Sequence, residues 1–400
     1  MLTTFSFARI SFLLALLVSA VAMFERIAEV AASRLNISAT PIVGVLIVSY
    51  LAYLYVAYYF VRHLGEISNK VSARVWLIVL AIVVTCSFVY LYPVLDSGAL
   101  GFYSDREEAI DVAVRAIWVG GFPYDCYAQS GVHVGCPETG NPIAPMPGGL
   151  MIAMPVVLLL GSAASLSLIS LGVGYAGLRW LWEDSERAAA FVVALVALSP
   201  VIVGEILTGG DHLANSIWVS VPLALLIQEP SRKYAKVLAF IFGIALSWRG
   251  LFWLVVIPVV FNFARRRRWM DLVILGGIAV LGFALVTLPF LLWNWEGFDP
   301  LAVQQRYKLY EHILPYASIW IPATLVVLGS FIGWWVSSAR QLLLACGWML
   351  FLPILIAVII HSVDIGRPTV IFSGWYAITS LFLFGISMMK YMSKEERLNH

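Results

Sequence analysis

The chain has 400 residues, 61% of them hydrophobic and only 12% charged, with a formal net charge of +2. Apolar runs long enough to cross a bilayer point to an all-α polytopic membrane protein, and no train of alternating segments of about ten residues supports a closed β-barrel. So small a net charge excludes the electrostatic footprint of a nucleic-acid binder.

Taken in chain order, membrane helices are expected near residues 6–24, 41–61, 76–94, 149–182, 187–206, 213–228, 234–248, 251–263, 271–293, 314–335, 341–361 and 369–390, about twelve in all. The first runs on into Glu25-Arg26 without a small-residue cleavage site and is read as a retained helix rather than a leader. Segment 149–182 is too long for one straight crossing, and Pro155 and Gly161 offer breaks. With both termini on the cytoplasmic side, that side collects most of the basic residues, including the run Arg265 to Arg268, while most carboxylates fall on the other. This bias follows the positive-inside rule and orients the site toward the extracytoplasmic side, and the expected location is the plasma (inner) membrane.

The long polar interruption from Tyr103 to Pro155 is then external. Membrane helices are usually joined by a few residues, so this loop needs a reason. Ser104 and Glu107 have capping-box spacing, predicting a helix that starts at Asp105. Ile110, Ala113, Val114, Ile117 and Trp118 fall on one face of it, as in a helix lying on the membrane surface, and Gly120-Gly121 ends it. An acid such as Asp105 in a first turn either serves chemistry or merely complements the helix dipole. Cys126 and Cys136, in a loop outside the cytosol, are expected to form a disulfide; with only His133 between them they make a weak zinc signal.

Farther along, Arg249 sits at the tip of a hairpin whose arms, 234–248 and 251–263, span about 20 Å each, short of the ~30 Å hydrocarbon core. It is therefore expected below the surface, either clamping a phosphate by paired hydrogen bonds or snorkelling to headgroups. Asp211, His212, Arg306, Lys308, Glu311, His312, Asp364 and Arg367 gather on the same side, where each is a candidate ligand or a solvated loop charge.

Two stretches, YSDREEAIDVAVRAIWVGGFPYD with NPIAPMPGGLMIAMP, and GIALSWRGLFWLVVIPVVFNFARRRRWMDL with LVTLPFLLWNWEGFDP, resemble the GT-C superfamily of integral-membrane glycosyltransferases. The likeness spans residues 76–320 and is to the branch of polyprenyl-phosphate-mannose-dependent mannosyltransferases and their bacterial relatives. The resemblance implies a catalytic domain over residues 71–400 with external loop 95–148, preceded by a two-helix addition, 1–70. It implies inverting transfer of a sugar from a polyprenyl-phosphate donor to a lipid, glycan or protein hydroxyl, with Asp105 as general base and Arg249 on the donor phosphate. Glu107, Glu108 and Asp211 then become candidates for acceptor hydrogen bonds, and Trp118 and Tyr124 either stack on sugar or anchor the loop. Where many relatives carry D-x-D, this loop has Asp105-x-Glu107, so no metal and no other cofactor is expected. Two other readings share the topology: a lipid or solute transporter or flippase, and a polymerase or ligase of lipid-linked glycans.

Overall fold

A computed structural model describes residues 4–36, 38–62, 72–97, 104–129, 132–228, 233–298, 300, 306–370 and 374–389. Helices dominate: α1 (Thr4–Leu35), α2 (Ala39–Arg62), α3 (Ala73–Asp96), α4 (Arg106–Trp118), α5 (Pro147–Leu160), α6 (Leu166–Trp182), α7 (Ser185–Leu198) and α8 (Pro200–Leu207) occupy the first half. They are followed by α9 (His212–Gln228), α10 (Ala235–Leu246), α11 (Val256–Arg265), α12 (Trp269–Trp293), α13 (Ala317–Trp335), α14 (Ala339–Asp364) and α15 (Ile378–Met388). Two three-residue strands, β1 (Tyr127–Gln129) and β2 (Val132–Val134), pair antiparallel in the loop after α4.

Among the described residues five helices, α1, α3, α12, α13 and α14, are long and apolar enough to cross a membrane, or seven spans if two bent helix pairs each count as one. This establishes a polytopic membrane protein at a coarser level than the twelve crossings expected. The remaining apolar segments also form helices, but α9, α10, α11 and α15 are individually short. Val79 and Ile82 on α3 and Leu292 on α12 point outward, as contact with lipid requires.

The bends have local causes. α5 ends at Gly161, whose φ of +85° suits a residue without a Cβ, and the chain turns by 115° into the next helix. Pro155 sits inside α5 without ending it, so of the two expected break points only the glycine acts. The segment read as one helix over 187–206 is in fact bent by 87° between α7 and α8, at Ser199-Pro200. There the Ser199 hydroxyl accepts from the Ile202 N–H and Pro200 opens the new helix, where its missing N–H costs nothing.

The core gathers on α9, where nearly every side chain from His212 to Ile227 is buried. Helices α6, α10 and α15 pack around it, and α1 joins through Phe12, Ala15 and Leu16. Glu25 on α1 holds the far segment before α15 by accepting from the Thr369 hydroxyl at 2.8 Å and the Val370 N–H at 2.9 Å. A second, smaller core forms under α4, where Ile110, Ala113 and Val114 meet Tyr124, Ile143, Leu150 and Phe298. The apolar face of α4 is therefore covered by protein, not laid on lipid as its amphipathic pattern suggested. Asp111 and Arg115 also tie it to the α5–α6 bend, through the Ala163 N–H at 2.7 Å and the Gly161 carbonyl at 2.9 Å.

Candidate functional site

The loop after α3 and the hairpin tip between α10 and α11 are bound directly to one another. Pro147 starts α5, and the two glycines after it have no side chains to keep its first turn off the tip. A Cβ on Gly148 would lie 2.0 Å from the Ile244 carbonyl oxygen, and one on Gly149 would lie 2.4 Å from the Trp248 indole. In that close approach the Met146 N–H donates to the Trp248 carbonyl at 2.9 Å, and the Gly148 N–H to the Ser247 carbonyl at 2.7 Å.

Arg249 is 8% exposed, as the short arms of its hairpin predict, but it already has a partner. Asp211 accepts from its Nη2 at 2.7 Å on both carboxylate oxygens and from its Nε at 3.3 Å, while the Trp248 indole N–H donates to the same carboxylate at 2.9 Å. The guanidinium is thus gripped along one edge, and its Nη1 makes no hydrogen bond among the described residues. The expectation of an arginine free to take a phosphate with two parallel bonds is corrected accordingly: Asp211 occupies that edge and serves as the partner of Arg249, not as a free acceptor group. A cavity of about 530 Å³ begins at Arg249 and runs between α11, α13 and α14. Arg249 is the one charged side chain among its described lining residues, and Leu254, Ile257, Leu325 and Ile354 are typical of the rest.

A second pair, a buried carboxylate with a half-buried guanidinium, stands beside the first. Glu205, fully buried near the end of α8, turns its carboxylate back over Gly210 to accept from the His212 backbone N–H at 2.8 Å, from the Arg106 guanidinium and from the Trp375 indole N–H. A Cβ on Gly210 would fall 2.4 Å from that carboxylate. Arg106 also lies 6.0 Å from the ring centroids of both Trp375 and Tyr376, within cation–π range. Tyr376 in turn lines the cavity and contacts the His212 ring at 4.4 Å. A chain of contacts therefore leads from Asp105 through its neighbour Arg106, Glu205 and His212 to Asp211 and Arg249.

Around Asp105 the cap differs from the one expected. The helix begins at Arg106 with Asp105 at the cap position, and neither residue of the predicted Ser104/Glu107 box makes a capping bond. Asp105 instead accepts from the Thr139 hydroxyl and the Asn141 amide, both at 2.6 Å and both on Oδ2. Glu108 accepts from the Glu138 N–H at 2.8 Å. Glu107 points inward: it is 3% exposed, packs against Gly209, and neither carboxylate oxygen has a hydrogen-bond partner among the described residues. Burial, with Asp96 alongside, pushes its pKa up to about 9, so Glu107 is neutral at physiological pH.

The other candidates divide plainly. Tyr124 is a buried anchor whose hydroxyl donates to the Pro145 carbonyl at 3.0 Å, with Phe122 and Phe298 edge-on to its ring. Trp118 is 68% exposed and takes no part in the cluster. His312 is bonded to Asp364 at 2.8 Å, which raises the imidazole pKa, and Glu311 accepts from the Ser318 hydroxyl. Lys308 and Arg367 are exposed, and the side chain of Arg306 lies outside the described residues. Among the described side chains, the segment after α12 reaches the cavity through Tyr307 and Tyr310 and not through Lys308. Cys126 and Cys136 are joined as expected, and no cluster of three metal-ligating side chains occurs among the described residues. Sequence reasoning missed Arg106, Glu205, Trp375 and Tyr376 as members of the cluster; the one local signal was the Gly209-Gly210 pair beside two acids.

Comparisons with protein-family models, with curated proteins and with solved structures find no match to this chain.

Proposed function

We propose that this protein is a GT-C-like glycosyltransferase with about twelve membrane segments, acting at the extracytoplasmic face of the plasma membrane. The donor is a polyprenyl-phosphate sugar and the acceptor a hydroxyl of a lipid, glycan or protein. The observation that carries the reading is the cavity of about 530 Å³, mostly apolar, with Tyr307, Tyr310, Tyr376 and Thr379 and a single guanidinium among its described lining residues. Its volume is that of a ligand site, and its polarity suits a hydrocarbon chain with one anionic head.

In this reading the phosphate oxygens meet Nη1 of Arg249 while Asp211 fixes the opposite edge of the same guanidinium. The acceptor hydroxyl attacks the anomeric carbon, Asp105 takes its proton, and the bond from that carbon to the phosphate oxygen breaks, which inverts the centre. Polyprenyl phosphate leaves with the electron pair, and Arg249 meets the charge that develops on it. Glu107, being neutral, can donate a hydrogen bond but cannot serve as a base near neutral pH.

Purified protein assayed with labelled polyprenyl-phosphate mannose, glucose, galactose and arabinose should transfer at least one sugar, and Asp105→Asn should abolish that transfer while leaving the protein folded. Full turnover by that variant would remove Asp105 as the base. A second reading, transport of a lipid or solute, draws on the two strongly bent helix pairs and the buried acid beside the second bend. Flux across proteoliposomes without transfer from any donor would decide for it.

A further inference from the structure

The proposed base is half-buried at the edge of a loop, and a carboxylate in such a place ordinarily samples several rotamers. Here it is held. Thr139 and Asn141 both donate to Oδ2 at 2.6 Å, and Asn141 also sends its backbone N–H to the Thr139 oxygen at 3.3 Å, closing a small network. Oδ1 makes no hydrogen bond among the described residues, so it is the oxygen left to receive a proton.

The stretch that carries these donors is fixed on both sides. On one side Cys136 is bonded to Cys126, and Gly135, with φ of +68°, lies so close to the Asp125 carbonyl that a Cβ would come within 2.4 Å of its oxygen. Within it the Gly140 N–H closes a turn on the Pro137 carbonyl at 2.8 Å, and the Glu138 N–H reaches Glu108. On the other side Tyr124 holds the Pro145 carbonyl and Met146 is bonded to the hairpin tip. The fold has little need of the two donors themselves. Both side chains are exposed, where a hydrogen bond that competes with water contributes about 1 kcal/mol or less.

We propose that Thr139 and Asn141 are positioning residues for Asp105: they occupy Oδ2, fix the side-chain rotamer and present Oδ1 to the acceptor hydroxyl, with the disulfide-closed hairpin as their support. This rests on the reading of Asp105 as the base. The acceptor proton passes to Oδ1, and the two donors lose and gain none.

The test compares Thr139→Val, Asn141→Ala and the double variant with wild type, using the four labelled polyprenyl-phosphate sugars as probes. Expected are unchanged thermal stability, a kcat lowered on the order of tenfold per variant with donor KM unchanged, and recovery in Thr139→Ser. Alongside, modification of Asp105 by a water-soluble carbodiimide, read by peptide mass spectrometry, needs no substrate and should quicken several-fold in the double variant. Wild-type kcat and labelling rate in the double variant would overturn the proposal. Transfer activity surviving Asp105→Asn would instead overturn the base reading, a distinct result because the labelling rates would still report whether the donors hold the carboxylate.

Discussion

Glu205 and Glu107 flank one two-glycine turn, Glu107 against Gly209 and Glu205 against Gly210, and both are buried. Glu205 has a cation, an indole N–H and a backbone N–H on its two oxygens, whereas Glu107 has no hydrogen bond on either among the described residues. The difference separates two ways of placing a carboxyl in a low-dielectric interior. One is to keep the charge and surround it with donors; the other is to give up the charge and keep the proton. The first joins α4, α8, α9 and the turn before α15, and the second leaves a neutral carboxyl packed against Gly209 with Asp96 alongside.

Substitutions that break the comparison should rank by how many partners they strand. Glu205→Ala leaves the Arg106 guanidinium, the Trp375 indole and the His212 N–H without their acceptor at once. Removing one side of a fully buried pair costs about 3–5 kcal/mol, and with Arg106 24% exposed the lower end of that range is expected, so the solubilised variant should unfold at a much lower temperature. A Tm equal to wild type would show that the joint is not held by this carboxylate. Gly210→Ala should come next, because its new methyl overlaps the Glu205 carboxylate; a cost of about 1–3 kcal/mol is expected, and the same measurement would detect it.

The smallest effect at low pH is expected at Glu107, where the pH dependence carries the information. Its folded-state pKa of about 9 lies above that of an unfolded glutamate, so between those values the folded chain binds the extra proton. The stability it contributes is complete at acid pH, falls as pH rises toward about 9 and is lost above it. Thermal unfolding of wild type at about pH 6 and about pH 10 should show this fall, and Glu107→Gln should abolish that part of it while leaving the acid-side Tm nearly unchanged. An identical pH response in the variant would mean that Glu107 is ionised in the folded protein.

What the sequence made legible follows the range of each interaction. The end of α4 at Gly120, the pairing of Cys126 with Cys136 and the burial of Arg249 all depend on near neighbours or on segment length, and each was readable. The capping box failed although its spacing was right. Glu107 turned inward onto Gly209, about a hundred residues away in sequence, so a tertiary contact overrode a local one. Asp211 read as a loop acid because nothing nearby identifies its partner 38 residues on. The bend at Ser199-Pro200 carried a local signal in its serine cap and proline, but a continuous apolar run concealed it.

The seam between Gly148 and Ser247 also has a consequence for how the protein is made. Residues 146–149 emerge early, and their binding surface, the tip at 244–248, is synthesised only about a hundred residues later, several seconds at ordinary elongation rates. Until then the loop that carries Asp105 lacks the wall against which it is fastened, whatever its own helix and disulfide have achieved. The site is therefore finished late in biogenesis, and a chain arrested before Ser247 would hold every residue of the loop in place in sequence but not in space.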